Sequence, residues 1–367
     1  MACFMAPGSI LRTAGAFTRR KSVAAARAAA AHPRIRNADH FSERTLPMTC
    51  SLRGAVSCLI LLGIIGPLAS SRADEPGQGE KKKRADIYDR KADGEKQIAD
   101  ALVEAKRDHK RVLLQFGANW CGWCHKLHNL CASDKEIAHE LLYEYVVVLI
   151  DVDKVDGKPH NQNVVEKYGN PVKHGLPVLV ILDEDGKPLH TQDTGKLEEG
   201  DHHVPAKVLE VLKEWKATPP TADEALAAAL AKAKAEKKAV FVDFSAPWCG
   251  WCHRLDAYLH QPEIARVFDA VFVSVKIDVD RFRGGKELNA RYGGDRAGLP
   301  FFAFVDAEGK KIGDSIATPG GNVGYPVKDE EVAHFIAMVR RAAPTLTDAQ
   351  VKTLEDKLKE KPEAAGR

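Results

Sequence analysis

Residues 119–127 read NWCGWCHKL and residues 247–255 read PWCGWCHRL, so one nine-residue phrase recurs 128 positions further along the chain. A cysteine pair spaced by two residues and followed by His serves three chemistries: covalent haem attachment, metal binding and dithiol–disulfide exchange. The flanking sequence begins to separate them. Each copy ends a strand-like apolar run, RVLLQFGANW at 111–120 and AVFVDFSAPW at 239–248, and opens a helix-like stretch. That places each cysteine pair at the carboxyl end of a strand, the edge of an α/β sheet where reactive groups gather.

The elements around the two copies come in the same order. In the first half a helical period spans 95–108, followed by the strand and the cysteine phrase. Helical CHKLHNLCASDKEIAHELLYE comes next, then the buried strand YVVVLIDVD at 145–153 and a short helix at 161–168. A hairpin at 177–190 turns at Asp185-Gly186, and a closing helix covers 205–215. The second half repeats this with helix 222–236, strand 239–248, strand 271–280, helix 285–292, a hairpin at 301–312 turning at Glu308-Gly309, and helix 328–341. Strands alternating with helices predict, in each half, a central mixed sheet flanked by helices. The expected divisions are an N-terminal extension with signal peptide at 1–73, a linker at 74–84, domain 1 at 85–216, a stiff linker at 217–220 and domain 2 at 221–343. A charged tail follows at 344–367, with a surface helix at 347–359.

The extension reads as a targeting segment. Arg53 precedes an apolar run from Ala55 to Leu68, and Ser71-Arg72-Ala73 offers a small-residue cleavage site before Asp74. This is the order of a secretory signal, and Met48 stands where one would begin. The reading predicts a periplasmic or otherwise exported protein, with an uncleaved membrane anchor as the alternative. Cleavage would remove Cys3, Cys50 and Cys58 and leave Cys121, Cys124, Cys131, Cys249 and Cys252. Five cysteines are too few for a disulfide-stapled scaffold and are better read as working sites. The net charge of +3 on 367 residues argues against a nucleic-acid partner.

Haem attachment fits poorly, because Met338 is the sole methionine after residue 73 and two His/Met haems cannot be built. Metal binding, with His125, His128 or His253 beside the thiolates, remains open, as do two purely structural disulfides. Dithiol chemistry fits best. A cysteine at a helix start lies near unpaired N–H groups and the positive helix end, which favour thiolate. The second cysteine then sits one turn inward, ready to close the ring. Trp120 and Trp248 offer large surfaces beside the pairs.

Together these residues resemble the thioredoxin-like superfamily. WCGWC resembles its WCxxC active site, VFVDFSAPW its preceding strand, Leu176-Pro177 and Leu299-Pro300 its proline loop, and DEDGK and DAEGK its hairpin. The two matches cover roughly 85–216 and 221–343. The cysteine-to-proline distances of 56 and 51 residues exceed those of ordinary thioredoxins, with extra residues around DKVDGKPHNQN and DRFRGGKELN. This longer form resembles a group found in exported bacterial proteins. The resemblance implies tandem thioredoxin-like α/β domains, thiol–disulfide oxidoreductase activity, no cofactor, protein disulfide or dithiol substrates and a membrane electron-relay partner. It implies Cys121 and Cys249 as nucleophiles and Cys124 and Cys252 as resolving thiols. Pro177 and Pro300 would be cis and substrate-facing, beside Trp120 and Trp248. Asp243 would be the buried carboxylate that handles the resolving thiol's proton, and the aligned Gln115 cannot take up a proton. His125, His253 and His174 are weaker candidates, and Cys131 is read as a small buried hydrophobe.

Overall fold

The computed structural model describes residues 84–360. The export signal read near 48–73 lies outside the described residues. Among the described residues no helix is long and apolar enough to cross a membrane.

Domain 1 runs α1 (Gly94–Asp108), β1 (Arg111–Gly117), α2 (Gly122–Ser133), α3 (Lys135–Glu144), β2 (Tyr145–Asp151), α4 (Gln162–Lys167), β3 (Val178–Leu182), β4 (Pro188–Asp193) and α5 (Pro205–Trp215). Domain 2 repeats the series as α6 (Ala222–Glu236), β5 (Ala239–Ser245), α7 (Gly250–Leu259), α8 (Pro262–Phe268), β6 (Phe272–Asp278), α9 (Gly285–Tyr292), β7 (Phe301–Val305), β8 (Lys311–Asp314) and α10 (Asp329–Ala342). A further helix, α11, spans Asp348–Lys359. The two four-stranded sheets have the order β2-β1-β3-β4 and β6-β5-β7-β8. In each, the strand leading to the cysteines is central, parallel to one neighbour and antiparallel to the other.

The central strands are apolar almost throughout because both of their faces are covered. In β1, Val112, Leu114 and Phe116 meet Ile98, Ala101 and Ala105 of α1 and Val164 of α4. On the opposite face Leu113 meets Leu127, Ile137 and Leu212 of α2, α3 and α5. Strand alternation therefore puts Gln115, and Asp243 in β5, on the face covered by the cysteine-bearing helix. In domain 2 that face is aromatic, with Phe241, Phe268, Phe302, Phe304 and Phe335 in mutual contact.

Residues 344–360 of the segment set apart as a charged tail pack onto this core. Thr347 and Gln350 form a capping box at the start of α11. Val351, Leu354 and Leu358 are buried, and Tyr258 Oη donates to Leu354 O at 2.9 Å. The spacing of these apolar residues is helical, but the lysines and glutamates between them make the stretch read as solvated surface.

Residues 84–360 fall within one unit, and Arg281 joins its halves. Its guanidinium, 4% exposed, pairs with Glu144 at 2.7 Å and donates to the Asp108 and His109 carbonyls at 3.0 and 2.8 Å. Those carbonyls end α1, so a buried cation meets the negative end of a helix and a carboxylate at once.

Candidate active site

Each cysteine pair is positioned by helix capping. Cys121 and Cys249 are the N-cap residues of α2 and α7, with extended backbone. Their Sγ atoms accept from the Cys124 and Cys252 backbone N–H, each at 3.1 Å. A cysteine thus occupies the place where Ser or Asp usually satisfies the first free N–H groups, and the same donors stabilise a thiolate. Both pairs are closed as disulfides, Cys121–Cys124 and Cys249–Cys252. In each, the first cysteine is the less buried of the two.

The histidine after each pair is occupied locally. His125 Nε2–H donates to Asn119 O and His253 Nε2–H to Pro247 O, both at 2.8 Å. A carbonyl only accepts, so Nε2 must carry the proton. Each histidine ties the first turn of the helix back to the loop before the cysteines. The tryptophans are pinned in parallel: Trp120 Nε1 donates to Asp153 at 3.0 Å and Trp248 Nε1 to Asp280 at 2.9 Å. Their rings stand out beside the disulfides, 68% and 60% exposed. Both aspartates begin the extra segments after the central strands.

The Leu176–Pro177 and Leu299–Pro300 bonds are cis, and so is Thr318–Pro319, which sequence reading did not single out. Leu176 O lies 3.6 Å from Cys121 Sγ. Beside Pro300 an open groove of about 460 Å³ is lined by Trp251, Leu299, Tyr325 and Val327. In domain 1 the ring of buried His203 instead meets Trp123 edge-on. Burial pushes His203 below the usual imidazole range. Exposed His174 stands on the short turn before Pro177. Half-buried Cys131 joins the α2–α5 apolar cluster, and burial pushes its thiol up to about 11.

The two sites differ at the strand residue on the face covered by the cysteine-bearing helix. Asp243 is buried, its Oδ1 has no hydrogen-bond partner, and burial raises its carboxyl to about 7. Lys276 stands opposite it in the β5–β6 register. In domain 1 Gln115 donates instead to Tyr88 Oη at 2.7 Å. Tyr88 comes from the segment ahead of α1 and joins Cys121 and Cys124 in one buried cluster. Asn119 holds that segment, accepting from the Ile87 and Tyr88 N–H groups at 2.9 and 2.8 Å and donating to Tyr88 O. Domain 2 has Pro247 in the place of Asn119 and Ser245 in the place of Gly117. A Cβ on Gly117 would collide with the Tyr88 phenol and come within 2.8 Å of Cys124 Sγ. Gly117→Ala is therefore expected to displace Tyr88 and destabilise the chain by about 1–3 kcal/mol, the usual penalty of overpacking. Equilibrium urea unfolding checks this; an unchanged midpoint would mean the Tyr88 segment gives way freely.

Fold and site define a two-domain α/β protein with a capped dithiol–disulfide pair at each sheet edge. Family comparison agrees: a thioredoxin-like domain family matches residues 98–200 and a second thioredoxin-like family matches 221–307. The chain is 32% identical over 97 residues to the disulfide bond reductase DsbH of Chlamydia pneumoniae, covering 25% of this chain and 57% of that one. It is 26% identical over 196 residues to protein disulfide-isomerase erp38 of Neurospora crassa, covering 53% and 50%. The chain thus spans only about half the length of these curated relatives. A solved disulphide isomerase from Xylella fastidiosa is 31% identical, covering 35% of this chain and 95% of that one, with a TM-score of 0.32. The chain carries two thioredoxin-like α/β domains in tandem, with a CxxC pair in each.

Proposed function

We propose that this chain is a protein thiol–disulfide oxidoreductase of an exported compartment, working through both CGWC pairs. The observation that carries the reading is the N-cap cysteine, its sulfur on the N–H of its partner three residues on, in both domains. Cys249 thiolate attacks one sulfur of a protein disulfide, forms a mixed disulfide and expels the other sulfur as thiolate. Cys252 then gives up its proton, attacks Cys249 Sγ and releases the second substrate thiolate. The substrate gains two electrons and the pair ends as a disulfide. Read backwards, the same steps oxidise a dithiol. Asp243 accepts the Cys252 proton in one direction and returns it in the other. Cys121 and Cys124 play the same two parts in domain 1, and the faces of Trp120, Trp248, Pro177 and Pro300 receive the extended substrate. A membrane electron relay is the partner that would re-reduce a pair working as reductase.

The test is trapping. Cys124→Ser/Cys252→Ser is expected to accumulate a mixed disulfide with reduced-and-scrambled or native insulin, released by dithiothreitol, while the parent chain reduces insulin and accumulates none. A variant that forms no adduct, from a parent that exchanges no disulfide, would overturn the reading in favour of metal binding or structural stapling. The potential of each pair then sets the direction: near −270 mV points to reduction, and above about −180 mV to oxidation or isomerisation.

A further inference from the structure

A cluster of charges supplied by both domains lies between the end of α1 and the sheet of domain 2. Arg107 donates to both carboxylate oxygens of Asp108 at 2.7 and 3.0 Å, and its guanidinium forms an ion pair with Asp256 of α7 at 3.0 Å. Lys276 of β6 reaches Asp108 at 3.2 Å and Asp256 at 3.7 Å. Asp243 and Lys276 line the same small cavity of about 120 Å³, yet no ion pair joins them. The lysine opposite the buried acid is turned toward a carboxylate from the other domain.

We propose that Asp108 of domain 1 is a positioning residue for the domain 2 site, holding the Lys276 ammonium away from Asp243. The groups facing Asp243 are Lys276 from β6, Asp256 from α7, His260 just after that helix, Asp269 after α8, and Arg107 and Asp108 from α1. Two cations and two close carboxylates, Asp108 and Asp256, cancel at the mouth of the cavity, so Asp243 is left without a net counter-ion. Burial then dominates its protonation. Burial alone would push Asp108 up as well, but its Arg107 hydrogen bond and Lys276 hold it down to about 2, so it stays ionised and keeps its grip. Without Asp108 the cluster gains a net positive charge, and the flexible Lys276 stem is free to turn inward. The β5–β6 register already sets the two residues opposite each other. Docking of domain 1 is then part of what keeps a proton on the domain 2 acid near neutrality. This rests on the oxidoreductase reading only in giving that proton a use.

The experiment follows the Asp243 carboxyl itself in the oxidised full chain, where Cys121, Cys124, Cys249 and Cys252 do not titrate. Its C=O stretch is identified by subtracting the infrared spectrum of Asp243→Asn. Asp108→Asn is expected to move the titration midpoint down by about one pH unit, the low end of what a nearby opposite charge does to a carboxylate. Asp108→Glu is expected to restore it, and Asp108→Asn/Lys276→Met to abolish the shift. A midpoint unmoved by Asp108→Asn, or moved equally with Lys276 removed, would overturn the proposal. Asp108→Ser carries the same expectation should Asp108→Asn fail to fold. No arm depends on catalysis, so a chain that exchanges no disulfides but shows the shift would sink the functional reading and leave this one standing.

Discussion

Asp243→Asn is expected to make the oxidised chain more stable at pH 8, by a net of about 1–3 kcal/mol, and no more stable at pH 4. The folded carboxyl sits at about 7 against an ordinary 3.8, raised chiefly by burial. Below both values the carboxyl is protonated folded and unfolded, and it contributes no pH dependence. Between them the unfolded chain ionises while the folded chain keeps its proton, so the unfolded state binds fewer protons and stability falls as pH rises. Above about 7 the whole penalty is present, some three units at about 1.36 kcal/mol each. Asparagine removes that penalty but leaves an amide with too few partners, a loss of about 1–3 kcal/mol at every pH. The two stability curves should therefore cross between pH 4 and 8. Urea unfolding at pH 4, 6 and 8 measures them, and parallel curves would mean Asp243 is solvated or paired. The same variant should slow exchange at Cys249–Cys252 by about 10–100-fold, the low end of general acid–base assistance, because thiols ionise readily.

That carboxyl was legible in the sequence because a single aspartate interrupts an apolar strand six residues before a cysteine, and strand alternation fixes which face it shares. The proline loops, the hairpins and the order of elements were legible for the same reason: local patterns encode them. The rest depends on contacts between distant residues. Tyr88 lies far ahead of Gln115 in sequence, and only the fold brings its phenol against Cys124. The signals for it were Gly117 and Asn119, standing where domain 2 has Ser245 and Pro247, but a missing Cβ does not say what fills the space. The part played by the extra segments was hidden in a repeated Asp-Val-Asp at the end of each second strand, whose last aspartate pins a tryptophan. His125 and His253 read in the sequence as weaker candidates beside the thiols, and their rings are spent on backbone carbonyls. Nothing in the sequence marked Arg281 or Asp108 as bridges, since either charge reads equally well as surface.

Domain 2 is expected to exchange at least about 10-fold faster than domain 1 at pH 7, when each works alone in the full chain. The two variants are Cys121→Ser/Cys124→Ser and Cys249→Ser/Cys252→Ser, compared by insulin reduction. Proton handling carries the expectation. In domain 2 the proposed proton acceptor is a buried carboxyl raised to about 7, so it both holds and releases a proton at working pH. In domain 1 the equivalent place is taken by an amide and a phenol. Gln115 cannot accept a proton, and burial pushes the Tyr88 hydroxyl well above the ordinary phenol range, so it stays a neutral donor. The phenol can hydrogen-bond a developing Cys124 thiolate but cannot take its proton away. The pH profiles should differ accordingly. The domain 2 rate should climb through the Asp243 titration and level off above about pH 7.5, roughly half a unit past its midpoint. The domain 1 rate should keep rising toward the intrinsic thiol range near 8.5. Tyr88→Phe should then depress domain 1 further, by removing the buried phenol donor beside Cys124, while leaving the domain 2 profile unchanged. Equal rates in the two paired-serine variants, or identical profiles, would show that the group at this strand position does not limit exchange in either half.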